Sequence, residues 1–468
     1  MERNLSWYRW NQVVAGALFW AATTFLYLIA RFGLSTALQA QVVYYVAVVV
    51  LEVPSGWLSD RFGRVLTLRI VAVAWSAAYG LFLIEPGFAG IAAAQVLLAA
   101  GYAFLSGSDT TFHLETLESL GRATEFHDRE AGIRRLLLWS GAVSALIGGA
   151  LGVVDLRLPF VASLLAAVLQ LAIALRLVEP PVVGTEVNRD TDRLVAVVRH
   201  VKTPLLGWIT AFVAVTVVST HLAADLSAPY LTAVLDADPA SPGAAALLNG
   251  AVAAVVAAVA AMSLHVVVPL ARRLGLASTL LSLALVPVAI LIAMTTVTSI
   301  WLIPLMTLRR LPSAAASVFA PPVVAGFIGS PGRATYLSLA SFAGRMSYAA
   351  VLLVVSLIDD DDLGGTLTVA AVVAGGSWLV IAVLARTVRP WPSALDHGHA
   401  HEHKPIRHEH VHVHHDVHHD HQHATGRVPP QAHQHLHDHD ATTHTHSHLR
   451  DAHHGHDHSE RERRHEPD

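Results

Sequence analysis

Nine histidines fall within the sixteen residues 408–423: His408, His410, His412, His414, His415, His418, His419, His421 and His423. Spaced as His-x-His and as adjacent pairs, their imidazoles are dense enough to chelate Zn, Ni, Co or Cu ions. They belong to a segment from His397 to His465 that holds twenty-five of the thirty histidines in the chain. That segment lacks the apolar residues needed for a core, so the sequence implies a disordered tail. Three purposes fit it: delivery or sensing of a metal that the rest of the chain moves, buffering of metal or protons, or an extension under little constraint. The chain has no cysteine, which excludes disulfides and thiolate chemistry. No motif requires a cofactor, and neither a phosphate-binding G-x-x-x-x-G-K-S/T loop nor a catalytic triad occurs. An enzyme is therefore not expected, and neither is a nucleic-acid partner.

A second set of ionisable residues lies where charge is expensive. Arg309 and Arg310 stand about nine residues into an apolar segment, roughly 14 Å deep at 1.5 Å per residue. Pro304, Pro312, Pro321 and Pro322 interrupt that segment, as happens in helices that line cavities. Two readings stay open, a cationic site for an anionic group or a fixed ion pair between helices. Asp109 and His113 are one turn apart, and Thr111, Glu115, Glu118 and Arg122 form a neighbouring stripe. Asp109 and Glu115 are candidates to bind protons there, while Glu118 with Arg122 reads as a solvated pair. His221 and Asp225, also one turn apart, could relay protons or form an interfacial hydrogen bond. Glu52, deep in a span beside Pro54, is a further candidate.

The elements that must position these groups are membrane spans. The composition is 53% hydrophobic and only 14% charged, with mean hydropathy +0.49; a soluble chain carries nearly twice that charge. Apolar segments of about twenty residues, the length a spanning helix needs, fall at 11–30, 38–58, 66–84, 88–108, 133–153, 158–178, 204–224, 244–269, 276–297, 300–328, 335–357 and 364–386. The first has no cleavage site after it and is expected to be retained. Nineteen Lys and Arg residues lie at the N-terminus, in the even-to-odd loops and at the start of the tail, against Arg31 and Arg157 in the opposite loops. By the positive-inside rule both termini are cytoplasmic, in a bacterial inner membrane. A polar loop divides the spans six and six. The expected organisation is a six-helix half over 1–180, a cytoplasmic loop over 181–203, a second half over 204–390 and the tail over 391–468. Leu58-Ser-Asp-Arg-Phe-Gly63 and Leu270-Ala-Arg-Arg-Leu-Gly275 occupy equivalent places in the two halves, as in duplicated transporter folds.

Between the second and third spans stands Glu52-Val-Pro-Ser-Gly56-Trp-Leu-Ser-Asp60-Arg61-Phe-Gly63-Arg64. Glycine allows a sharp reversal here, and Asp60, Arg61 and Arg64 remain in water. The pattern resembles the loop signature of the major facilitator superfamily, over about residues 5–390. It departs in carrying Val65 where the family usually has a second basic residue. The stretch Gly332-Arg333-Ala-Thr335-Tyr-Leu-Ser338 also resembles that family's loop before helix eleven. The resemblance implies an all-α fold of twelve helices in two six-helix halves. It also implies that Asp60 meets the N-terminus of helix eleven and latches the outward-open state. Ser330 as N-cap and Pro331 at the first helical position would suit that partner, with about 0.3–1 kcal/mol from the helix dipole.

The expected function is secondary transport by alternating access in a lipid bilayer, with proton-coupled export of a small organic molecule. Two alternatives stand beside it. One is export of a divalent transition metal assisted by the tail. The other is a non-transporting metal sensor or buffer on a transporter scaffold.

Overall fold

A computed structural model describes residues 1–84, 87–181, 203–237, 243–325, 327–328, 330–360 and 362–388, with four tail segments between 397 and 448. They divide into two units, Met1–Trp391 and Pro392–Asp468. Among the described residues of the first unit, nine helical segments are long and apolar enough to cross a membrane, and Leu158–Ala174 is a shorter apolar helix.

The helices in chain order are α1 Glu2–Ala15, α2 Thr24–Phe62, α3 Arg64–Ile84, α4 Gly87–Leu105, α5 Ser108–Ser119, α6 Phe126–Val154 and α7 Leu158–Ala174. There follow α8 Pro204–Asp225, α9 Ser227–Val234, α10 Ala244–Met262, α11 Leu264–Leu274, α12 Leu276–Thr296, α13 Ile303–Met306, α14 Leu311–Ala325, α15 Ser330–Val355 and α16 Leu363–Leu384. One continuous core includes Tyr27, Phe82, Phe160, Leu222, Leu291 and Tyr348, all at most 1% exposed. Side chains that are apolar all round the helix suit burial on one side and lipid on the other.

Two departures from the sequence reading matter for function. First, the polar residues ahead of the expected first span, 11–30, are helical and partly buried. Helix α1 starts at Glu2 and buries Asn4, Tyr8, Asn11 and Gln12, because tertiary partners meet part of their hydrogen-bonding need. Asn4 donates to the carbonyl of Val178 at 2.7 Å and accepts from its N–H at 3.1 Å. Second, several spans are broken, at the prolines of the Arg309 segment as expected and elsewhere where no break is expected. Helix α1 ends at Ala15, and a 3-10 turn at Phe19–Ala22 separates it from α2, which is itself kinked at Gly33 with φ of 81°. Helices α13 and α14 are separated by the turn 307–310.

The break after α1 is held by its surroundings. Thr24 donates to the carbonyl of Trp20 at 2.7 Å, the hydroxyl of Ser163 accepts from Trp20 N at 3.1 Å, and Asn249 Nδ2 of α10 donates to the carbonyl of Ala22 at 2.5 Å. Gly148 of α6 lets the turn approach, since a Cβ there would lie 1.9 Å from the carbonyl oxygen of Phe19. One turn away, α6 and α10 meet backbone to backbone. A Cβ on Gly250 would come within 2.5 Å of Ala145 O and 2.9 Å of Gly149 Cα. Beyond that contact, Asp360 accepts from the N–H of Ser35, and Ser35 Oγ donates to Ser356 O at 2.5 Å. The helices α1–α7 and α8–α16 are thus sealed together at the end of the bundle that carries Asp359 and Asp360.

In the second unit the sequence implies no regular structure. Instead, four strands are present, β1 His397–His403, β2 Ile406–His412, β3 His433–His439 and β4 Thr442–His448. They pair antiparallel as β1 with β4 and β2 with β3. The His-x-His alternation has the two-residue period of a strand. The register accordingly sets histidine opposite histidine at His397↔His448, His399↔His446, His401↔His444, His408↔His437, His410↔His435 and His412↔His433. His414, His415, His418, His419, His421 and His423 lie outside the described residues.

Candidate functional site

A cavity of about 470 Å³ lies between the two sets of helices. Its walls come from α2 (Tyr44, Tyr45, Val48), α4 (Tyr102, Ala103, Leu105), the α4–α5 turn (Ser106, Gly107), α5 (Asp109), α6 (Arg134), α8 (His221) and α15 (Arg345). Gly107, at φ of 79°, makes the turn that points Asp109 back into the bundle.

The arginine-rich end of the cavity is a connected ion network. Asp109, 4% exposed, accepts from Gln12 Nε2 at 3.0 Å and from Arg134 Nη2 at 3.1 Å. Arg134 also donates through Nε to Glu130 at 2.8 Å. The other oxygen of Glu130 meets His113 Nδ1 at 2.8 Å and accepts from Tyr8 OH at 3.3 Å. The rings of Tyr8 and His113 stack at 4.7 Å. Asp109 and His113, one turn apart in sequence, are therefore joined through Arg134 and Glu130 of α6.

The middle of the cavity is aromatic. Tyr45 sits edge-on to Tyr44 at 5.1 Å, to Tyr348 at 4.8 Å and to His221 at 5.7 Å, and Tyr44 to Tyr102 at 6.1 Å. His221 and Asp225 take separate partners. His221 Nδ1 donates to Val217 O at 2.8 Å, which leaves Nε2 as the lone-pair nitrogen of the neutral ring. Asp225 accepts from Tyr348 OH at 2.7 Å. Arg345 Nη1 donates to Glu52 at 2.8 Å, an ion pair that links α15 to α2 across the cavity.

Arg309 and Arg310 occupy the turn between α13 and α14. Arg309 is 8% exposed, its carbonyl accepts from Thr220 Oγ1 at 3.3 Å, and its Nη1 is buried with no hydrogen-bond partner. Arg310 is exposed and lies within electrostatic reach of Tyr45 and His221.

The remaining candidates lie outside the cavity. Arg64 donates to Asp60 at 2.6 Å, to Ser59 Oγ at 2.8 Å and to Glu115 at 3.4 Å. Glu115 is thus held in the loop network rather than at the cavity mouth. Asp60 has a side chain 71% exposed and pairs with Arg64 of the same loop. Gly63, at φ of 97°, reverses the chain beneath the carboxylate of Glu179, which accepts from the N–H groups of Arg64 and Val65 at 2.6 and 2.8 Å. A carboxylate at those orphan donors caps α3 and meets its dipole. Arg61 stacks over Trp57 and Phe62 at 5.5 and 5.8 Å, while Gly56 has open space around it. Arg333 donates to the carbonyls of Ile328 at 2.9 Å and Ala325 at 3.3 Å, closing the end of α14. Arg122 pairs with Glu125 at 2.7 Å and Glu2 at 3.0 Å, not with Glu118.

Sequence reasoning passed over Arg345, Arg134, Gln12, Glu179 and the tyrosines. Arg345 carries the same signal as Arg309, a cation deep in an apolar segment. Among the described residues no group of three or more His, Asp or Glu side chains could hold a metal ion.

No protein-family model matches the chain, and no curated protein matches it significantly. The fold is nevertheless shared with solved membrane transporters. The structure is similar to the nucleoside transporter NupG, with TM-score 0.65 at 12% identity over 83% of this chain and 99% of that one. It is similar to a D-xylose–proton symporter, with TM-score 0.61 at 14% identity over 84% and 99%. It also resembles a bacterial metal transporter, with TM-score 0.57 at 16% identity over 82% and 98%.

Proposed function

We propose that the chain is a secondary active transporter of the bacterial inner membrane, with twelve spans, six in each half, and both termini in the cytoplasm. The observation that carries this reading is the cavity itself. It is polar and ion-bearing, it runs between two helix sets sealed at their acidic end, and it is walled by Asp109 and Arg134 towards the arginine-rich end. Under the positive-inside rule the arginine-rich end is cytoplasmic, so this form is open inward. Buried carboxylates at Asp109 and Asp225 supply proton sites, and the cargo is a small organic molecule. Export is the direction that the family resemblance suggests.

The absence of native cysteine permits a direct test. In Val48→Cys, the single thiol at the cavity wall should react with an impermeant maleimide from the cytoplasmic face of inverted vesicles and, in a fraction of molecules, from the outer face of right-side-out cells. Reaction from one face only, whatever is added, sinks alternating access.

Metal export or metal sensing keeps a second place, because the tail register sets histidine opposite histidine six times and zinc, nickel, cobalt and copper suit imidazole. Cells expressing the full chain or a truncation ending at Asp396 would be compared for Zn, Ni and Co content over minutes. A fall in metal that needs the tail moves metal export ahead. A fall without the tail makes the core the exporter. No change leaves the tail as a buffer and the cavity to organic cargo.

A further inference from the structure

The helices around the cavity carry more positive charge than the nearby acids neutralise. Arg134 is matched by Asp109 and Glu130, and Arg345 by Glu52. Arg309 and Arg310 have no such match: among the described residues no carboxylate comes within ion-pair distance of either. The nearest acid, Asp225, is within electrostatic reach of Arg309, but one of its oxygens is taken by Tyr348 OH. An arginine nine-tenths buried, with Nη1 bonded to nothing, forgoes hydration without an internal replacement. Neither arginine is part of the cavity wall, but Arg310 is exposed and within electrostatic reach of the wall residues Tyr45 and His221.

The position of the pair is fixed rather than incidental. Both arginines lie in the non-helical turn 307–310, and the hydroxyl of Thr220 anchors its backbone at Arg309. Tyr44, Tyr45 and Tyr102 line the cavity and Tyr348 packs on Tyr45, the rings meeting edge to face at 4.8 to 6.1 Å. Such rings offer flat apolar area with a hydroxyl rim. The volume, about 470 Å³, lies within the roughly 300–1,000 Å³ usual for small-molecule sites.

We infer that a small aromatic carboxylate binds here, its charge at Arg310 with Arg309 behind it and its ring against Tyr44, Tyr45 and Tyr102 of the cavity wall. A guanidinium presents paired donors that match a carboxylate, which a neutral or cationic ligand cannot use. A divalent metal is disfavoured at the same place, because two unmatched arginines repel it and no three-ligand group is present among the described residues. This inference rests on the transport reading of the same cavity.

The test uses purified full-length protein and its thermal unfolding with benzoate, phenylpyruvate and indole-3-acetate, each against its uncharged amide, and with acetate as a ringless control. One or more of the aromatic acids should raise the unfolding temperature saturably, while the amides and acetate do not. Arg310→Gln, chosen because this side chain is exposed, should weaken that acid at least tenfold. Arg310→Lys should recover part of the loss. An equal effect of acid and amide, no effect of any acid, or an effect that survives in Arg310→Gln would each overturn the assignment. Acetate as good as benzoate would overturn its aromatic part. Labelling of Val48→Cys separates the two levels. Access from both faces together with a failed anion test removes only the substrate class, whereas access from one face removes transport itself.

Discussion

At the scale of single residues, the pair Asp109–Arg134 shows how unevenly two partners share an environment. Asp109 is 6% exposed and Arg134 45%. Removing the arginine strands a buried carboxylate with Gln12 and the N–H of Thr110, whereas removing the acid leaves an arginine that Glu130 and water still satisfy. Arg134→Gln should therefore destabilise the protein by on the order of 2 kcal/mol, and Asp109→Asn by clearly less. The double variant should recover most of the difference, read as thermal unfolding in one detergent. Additive single effects would mean that the two groups do not act as a pair. What can be read from sequence here is uneven. Asp109 stands out as an acid at the end of an apolar segment, but Arg134 looks like one more cytoplasmic arginine, because its partner lies twenty-five positions away. Arg345 is as legible as Arg309, since the same rule of charge in a span marks both.

At the scale of elements, the two kinds of helix break differ in how far the sequence announces them. Pro304 and Pro312 flank the turn that carries Arg309 and Arg310, and each sits in the first turn of a helix, where proline lacks nothing it would use. That break can be located approximately from composition. The break after Ala15 cannot, because what holds it is remote: Asn249 on Ala22, Ser163 on Trp20, and the space above Gly148. Local propensity carries no record of such partners. The α6–α10 contact gives a prediction at this scale. Gly250→Val would press a side chain against Ala145 O and Gly149 Cα, and neither backbone can rotate away. Overpacking costs about 1–3 kcal/mol, and it falls on the sealed form. Outer-face labelling of a cavity thiol at position 48 should rise severalfold, and unchanged labelling would mean that this contact does not hold the seal.

At the scale of the whole molecule, the seal at the acidic end is built from few parts. The kink at Gly33 brings Ser35 against Ser356 and Asp360, so that α2 of one helix set meets the end of α15 of the other. Because the chain has no cysteine of its own, Ser35→Cys with Asp360→Cys should form a cross-link under mild oxidation. Outer-face labelling of a thiol at position 48 should then disappear, and it should return on reduction. Labelling that persists in the cross-linked protein would mean that the cavity opens to the outside by some other route. The all-helical membrane architecture is legible from hydropathy alone. The end at which the cavity is sealed is not, since it depends on contacts between residues more than 300 positions apart.

The unmatched charge of Arg309 and Arg310 also bears on kinetics. In the proposed transport cycle, closing the cavity while it is empty would bury Arg310 beside the already buried Arg309 without a counter-ion, and closing it around an anion would not. The loaded carrier should therefore reorient faster than the empty one. In proteoliposomes, labelled anion should leave faster when unlabelled anion is present on the opposite side than when that side is empty, and Arg310→Gln should narrow the gap between the two rates. Equal rates in the unmodified protein would show that the return of the empty carrier is not slowed by this charge.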